Sequence, residues 1–340
     1  MLKFLADVLD QMDLALEHIQ KGSVHDARFG LMLTDNAVEL AIHELAKEKH
    51  AELKAWTHMR DKYPHKKELE EAMGRSFEAK LKFAKLEGVV TEEQARTIAL
   101  MHDFRNELYH VGLQHEAILP HLARFYFSVA CDVLGDYPIG CFWYSDNIQL
   151  PDRSKKYFTS QDEYTPAEMG DFAKACRRME AECGHNKGET IRTLADHMDD
   201  IIAENDICLE IVAGGVYDGQ QRTRDQATVE CQTWPLSFGR EGRDFAKANG
   251  FSGRSFRELL DWLGANYPLR FKKDPVPGWQ KQAARLRSKG NPHTALENYA
   301  AFMEHTAQIR EAFSESAATA EREIDRLIDE RRGSSKDHDH

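Results

Sequence analysis

The chain has 340 residues, a formal charge of −12 and a mean hydropathy of −0.60. At 41% hydrophobic and 30% charged residues it is a globular composition, longer than one ordinary domain, and without a run of about 18 apolar residues that would predict a membrane span. Residues 1–135 hold 17 Lys+Arg against 22 Asp+Glu and the remainder 28 against 35, which excludes a basic lobe that binds nucleic acid through its overall field; any such contact must be local.

Asp7 falls too early for a secretory apolar core, so no signal peptide is expected. Leu2, Leu5, Leu9, Met12, Leu16 and Ile19 repeat at helical spacing and predict a first helix, stopped at Gly22. A second helix is expected from Ala27 to about Leu53, with Leu31, Val38, Ile42 and Leu45 inward. Lys66 to Leu86 reads as one charged helix between Pro64 and Gly88. Thr91-Glu92-Glu93-Gln94 has the form of a helix start, with threonine as N-cap and acids in the first turn. That helix is expected to run to about Val111 and meet Gly112. Pro120 to Leu134 is the next. Together these predict a four- or five-helix bundle over residues 1–135.

Residues 136–189 are expected to begin as an irregular connection, with Pro138, Gly140, Pro151 and Pro166. The C-terminal region, 190–332, reads as mainly helical. Thr190 to Val212 predicts a helix, Thr228 to Trp234 alternates as a short strand would, and Ser252 to Ala265 predicts another helix. A proline-bearing basic loop is expected near 268–292. From Thr294 to Arg332 the chain reads as one long helix, with Leu296, Met303, Ala317 and Ile324 in a heptad-like seam broken by Thr306 and Arg310. Gly333 to His340 is expected to be a disordered tail. The fold class expected is all-α.

The chemistry concentrates in Arg105-Asn106-Glu107-Leu108-Tyr109-His110 near the end of the helix begun at Thr91. RNA cleavage by its own 2′-OH needs a base for the 2′ proton, an acid for the leaving oxygen and a cation for the charge on phosphorus. Imidazole suits the proton work because it titrates near neutrality, and the guanidinium fork suits the phosphate. Asn106 and His110 lie one helical turn apart and share a face. The bare Arg-x4-His spacing occurs twice more, at Arg60…His65, where Pro64 opposes a continuous helix, and at Arg192…His197. Only Arg105…His110 sits at the end of a capped helix followed by a further apolar helix.

Arg105-Asn106 with Tyr109-His110, and Leu33-Thr34-Asp35-Asn36-Ala37-Val38-Glu39-Leu40 upstream, resemble the motif and second helix of HEPN domains, over roughly residues 1–135. The resemblance implies a metal-independent endoribonuclease. It also implies a homodimer whose two motif copies line one composite cleft, in a toxin or phage-defence setting where an antitoxin or regulatory partner restrains it. By the same resemblance Arg105 stabilises the phosphorane, His110 acts as general acid or base, and Asn106 orients the phosphate or the imidazole. Asp35 and Glu39 would face the motif from the second helix. Apart from the resemblance, His102, one turn before Arg105, is a candidate to flank the cleft, and Tyr109 to stack on a base or pack in the dimer seam.

In the C-terminal region Arg270, Lys272, Lys273, Lys281, Arg285 and Arg287, interleaved with Trp279, form the most basic stretch and are candidate RNA contacts. No P-loop, dinucleotide fingerprint or zinc-finger spacing occurs, and no cofactor or metal is expected. The six cysteines form no C-x2-C pair and are expected as free thiols in the cytoplasm, with Cys176 and Cys183 structural. The alternatives to a nuclease are a non-catalytic dimeric scaffold of the same fold and a partner-binding helical protein that works through its long C-terminal helix.

Overall fold

The first two helices are joined by a turn of two residues. In a computed structural model, α1 (Leu2–Lys21) ends where Gly22 takes φ +74°, the left-handed region that glycine enters without a Cβ penalty, and its N–H donates to Ile19 O. Ser23 then caps α2 (Val24–Ala55), its Oγ accepting from Asp26 N at 3.0 Å. Every apolar residue predicted on the inner face of α1, from Leu2 to Ile19, is buried. Each such side chain contributes about 1.5–3 kcal/mol on burial. The two helices approach closely at Gly30, where an added Cβ would lie 2.4 Å from Ile19 Cγ1.

The structure describes residues 1–56, 58, 62–110, 116–140, 149–158, 168–217 and 219–336; the side chains of 108–110 and 333–336 lie outside that description. Among the described residues there are fourteen helices and no strand, so the all-α expectation holds. No helix among them is long and apolar enough to cross a membrane.

The described residues form two compact units, Met1–Leu194 with Lys289–Glu297, and Ala195–Ser288 with Asn298–His340. The first contains α1, α2, α3 (Lys66–Ala72), α4 (Phe77–Leu86), α5 (Glu92–His110), α6 (Leu119–Gly135), α7 (Asp152–Lys155) and α8 (Asp171–Cys183). The single helix expected over 66–86 is two, because the chain turns at Gly74 and Ser76 caps α4 through Ala79 N. Helix α2 packs on α1, α4, α5 and α6, and α6 brings Phe125, Tyr126 and Phe127 wholly inside. Within 136–189 the described residues include two helices, Asp152–Lys155 and Asp171–Cys183. Helix α7 docks beside Asp13, whose carboxylate receives Tyr157 Oη at 2.5 Å and Lys156 Nζ at 2.6 Å. Burial pushes the Asp13 carboxyl up, but these hydrogen bonds outweigh it and hold the group below the usual range. Helix α8 packs on α6 and α1, burying Cys176 and Cys183. Their thiols are pushed up to about 12 by burial, as structural cysteines should be.

Residues 289–297 complete this unit from far along the sequence. Asn291 Nδ2 donates to Glu93 at 2.6 Å, His293 Nδ1 meets Thr97 Oγ1 at 2.7 Å, and Arg96 Nε donates to Glu297 at 2.7 Å. All three partners lie in the first turns of α5.

The second unit takes most of α9 (Lys187–Gly214), then α10 (Arg224–Phe238), α11 (Arg240–Ala248), α12 (Phe256–Asn266), α13 (Val276–Arg287) and most of α14 (Pro292–Lys336). The strand expected at 228–234 is helix: Thr223 and Gln226 form a reciprocal capping box that starts α10, and Ala227 and Cys231 bury one turn apart. Helix α12 opens on a second capping box, Ser255 with Glu258, rather than at Ser252. Helix α14 buries Phe302, Thr306, Ile309, Phe313 and Ala317, so Thr306 lies inside the seam, with its hydroxyl bonded back to Phe302 O at 2.7 Å. The helix reaches Lys336, into the expected tail; residues 337–340 lie outside the described ones.

Candidate functional site

Helix α5 carries the motif, and its start is fixed locally. Thr91 Oγ1 accepts from Gln94 N at 3.2 Å while Gln94 Oε1 accepts from Thr91 N at 3.0 Å. From there Ala95, Ile98 and Met101 bury against the bundle. That register sets His102, Arg105 and Asn106 within one turn of each other on the final stretch of the helix.

Asp35, in the middle of α2, is what these residues meet. Aspartate is a poor helix-interior residue, and this one is 0% exposed. It is tolerated because donors surround it. Tyr126 Oη, itself fully buried on α6, donates to Oδ1 at 2.9 Å. His102 Nδ1 is 2.9 Å from Oδ2, and Arg105 Nε lies 3.5 Å from the same oxygen. Burial, and then the charge of Asp35, push the Tyr126 phenol well above its ordinary range, so it stays a donor. Arg105 Nη1 also donates to Asn106 Oδ1 at 3.0 Å. The His102 ring lies flat on Phe77 of α4, with centroids 3.7 Å apart and planes 4° from parallel.

Arg105, Asn106, His102 and Asp35 are therefore brought together, as the sequence predicts. Asp35 is neither solvated nor a surface ion pair; it is the buried centre of the cluster. Glu39, one turn further along α2, turns instead to Lys80 of α4, whose Nζ donates to it at 2.7 Å and whose side chain is 8% exposed. His110 and Tyr109 close α5, and their side chains lie outside the described residues, as does Gly112. Sequence reasoning passed over two acids here. Desolvation raises the carboxyls of Asp103 and Glu107 above their usual range, His102 opposing the effect at Asp103 and Asp103 adding to it at Glu107. Their spacing of one turn on the motif helix was the available signal.

The basic stretch of the second unit is not one loop. Arg270, Lys272 and Lys273 precede α13, exposed, and Lys281 and Arg285 are exposed on α13. Trp279 is 2% exposed and packs edge-on against Phe271 and Phe302, so its ring is a core element and presents no face to a nucleobase. Arg287 is engaged by Asp196 and, at 2.8 Å, Asp199. This unit also holds cavities of 840 Å³ and 440 Å³, and Arg222, Glu230 and Trp234 line both.

No family model matches the chain, and no curated protein or solved structure matches it.

Proposed function

We propose that the chain is a metal-independent endoribonuclease of the HEPN type, cutting RNA by attack of the 2′-OH on the adjacent phosphorus. The observation that carries this reading is the buried Asp35 carboxylate beneath the motif, which forms an ion pair with Arg105, Nε lying 3.5 Å from Oδ2. The guanidinium is a planar fork that suits a phosphate, and its Nη1 donates to Asn106 Oδ1. In this reading the guanidinium donates to the equatorial oxygens of the phosphorane, worth most where water is thin. Asn106 orients the phosphate, and His110 transfers a proton. Asp35 is a positioning residue. The residual hydroxyl of Tyr126 serves Asp35 and not the substrate.

A homodimer that sets two motifs across one cleft would supply the positive potential that a chain of net charge −12 lacks. A toxin or phage-defence role, with an antitoxin or other restraining partner, belongs to the same proposal and rests on the resemblance of the motif and second helix.

The test is cleavage of total tRNA and of a generic single-stranded RNA in EDTA, wild type beside His110→Ala and Arg105→Ala. Cleavage by the wild type, lost in both variants while their urea unfolding midpoints are unchanged, is the expected result. Equal cleavage by all three would place the activity elsewhere and sink the assignment. Absence of cleavage with a stable dimer would favour the scaffold.

A further inference from the structure

We propose that His102 is a second proton-transfer residue of this site, the base that takes the 2′ proton, leaving His110 to protonate the departing oxygen. The proposal rests on the endoribonuclease reading above. In-line displacement at phosphorus needs a base and an acid on opposite sides; a dimeric cleft would offer a second copy of His110 as well as His102, and loss of the sulfur substrate in His110→Ala would assign the base to that second copy.

Several observations converge on His102. It stands one turn before Asn106 on α5, so the two share a face. Its Nδ1 is 2.9 Å from Asp35 Oδ2, and the same oxygen lies 3.5 Å from Arg105 Nε. One buried oxygen therefore meets the imidazole as a hydrogen-bond partner and the guanidinium as an ion-pair partner. A carboxylate at Nδ1 fixes the neutral tautomer with its proton on that nitrogen, which leaves the lone pair on Nε2. Among the described residues no other hydrogen bond engages the His102 ring. The parallel stack on Phe77 holds the ring plane, and the side chain is 15% exposed, enough to offer one edge. When Nε2 takes a proton, the imidazolium gains the Asp35 charge against it, the arrangement by which a buried carboxylate supports a histidine base. The charged and titratable groups around it are Asp35 from α2, Glu78 from α4, Asp103 and Arg105 from α5, and Tyr126 from α6.

The step balances without a co-reactant. The 2′-O–H proton passes to His102 Nε2 as the O2′–P bond forms. The P–O5′ bond breaks, its electron pair leaves on O5′, and that oxygen takes a proton from protonated His110. The products are a 2′,3′-cyclic phosphate and a free 5′-hydroxyl. Water then returns the proton from His102 and restores that of His110.

The competing role is structural, His102 serving only to satisfy Asp35. His102→Asn separates the two, because the asparagine amide can replace the Nδ1 donor to Asp35 but cannot act as a base. The full chain, in EDTA, is assayed across pH on a ribodinucleotide and on its analogue with sulfur in place of the bridging 5′ oxygen. The thiolate leaves unaided, so that substrate needs the base and not the acid. His102→Asn is expected to unfold like wild type yet lose about 10²- to 10⁴-fold on both substrates, together with the acidic limb of the pH profile. His110→Ala is expected to fail on the oxygen substrate and recover on the sulfur one. Rescue of His102→Ala by added imidazole, following its free-base concentration, supports the same assignment and does not depend on how the asparagine variant folds. Wild-type rates from His102→Asn, with His110→Ala inactive on the oxygen substrate, overturn the proposal and leave the nuclease reading intact. A wild type that cleaves neither substrate overturns the nuclease reading and the proposal with it.

Discussion

Replacing Asp35 tests whether the cluster beneath the motif is a built device. In Asp35→Ala the Tyr126 hydroxyl, on a side chain with 0% exposure, is left without its acceptor, a loss of about 1–3 kcal/mol. Arg105 and His102 lose the same carboxylate in a partly desolvated setting, which brings the expected total to about 3–5 kcal/mol. Asp35→Asn keeps the shape, accepts from Tyr126 through its carbonyl and meets His102 through its amide if the imidazole changes tautomer. It should cost only about 1–2 kcal/mol. Urea unfolding, with midpoints compared at unchanged slope, measures both. The hydroxyl supplies an internal control. Tyr126→Phe should cost about 0.5–1.5 kcal/mol in the wild type and nothing, or less than nothing, in the Asp35→Ala background, because the orphaned group is then gone. An Asp35→Ala loss below about 1 kcal/mol, or additive effects of the two changes, would refute the account of Asp35 as the residue that holds Arg105 and His102.

Two further outcomes follow from packing and burial in the first unit. Gly30→Ala should destabilise by about 1–3 kcal/mol in urea, because the new Cβ would sit 2.4 Å from Ile19 Cγ1 and 3.2 Å from Ala15 O; a more stable variant would mean that α1 and α2 are not so tightly seated. His185, beside Phe125 and Thr190, is pushed down to about 4 by burial with Lys187 adding to it. The unfolded chain binds a proton near pH 6.5 that the native state refuses, so this contribution is full above 6.5 and is lost as pH falls toward 4. After discounting for partial exposure it is worth about 1–2 kcal/mol, and His185→Gln should flatten the stability profile over that window; a profile unchanged by the substitution would show that His185 is solvated.

What the sequence made legible was local. The inner face of α1, the caps at Thr91 and Gly22, and the stripe on α5 all follow from spacing within a dozen residues. The strand expected at 228–234 shows the hazard: the alternation of Thr228, Glu230, Gln232 and Trp234 is real, but Thr223 and Gln226 had already committed the segment to a helix, and that pair was not read. Trp279, interleaved with lysines and arginines, reads as a candidate RNA contact, but Val276, Trp279, Ala283 and Leu286 repeat at helical spacing and bury together. The hub at Asp35 was half visible. Its partners His102 and Tyr126 lie 67 and 91 residues away, and no local pattern states that they and a guanidinium will converge on one acid. The acid was worth naming; its burial could only come from the fold.

The return of residues 289–297 to the first unit has a consequence for how the molecule comes into being. Asn291, His293 and Glu297 grip Glu93, Thr97 and Arg96, the opening turns of the helix whose far end bears Arg105. During synthesis from the N-terminus these clasps are the last part of that bundle to leave the ribosome, well after residues 1–194. A nascent or prematurely released fragment would carry the motif on a helix still unclasped at its start. The bundle that bears Arg105 is therefore complete only after residues 289–297 have been made, so the order of translation itself delays the moment at which the motif helix is clasped.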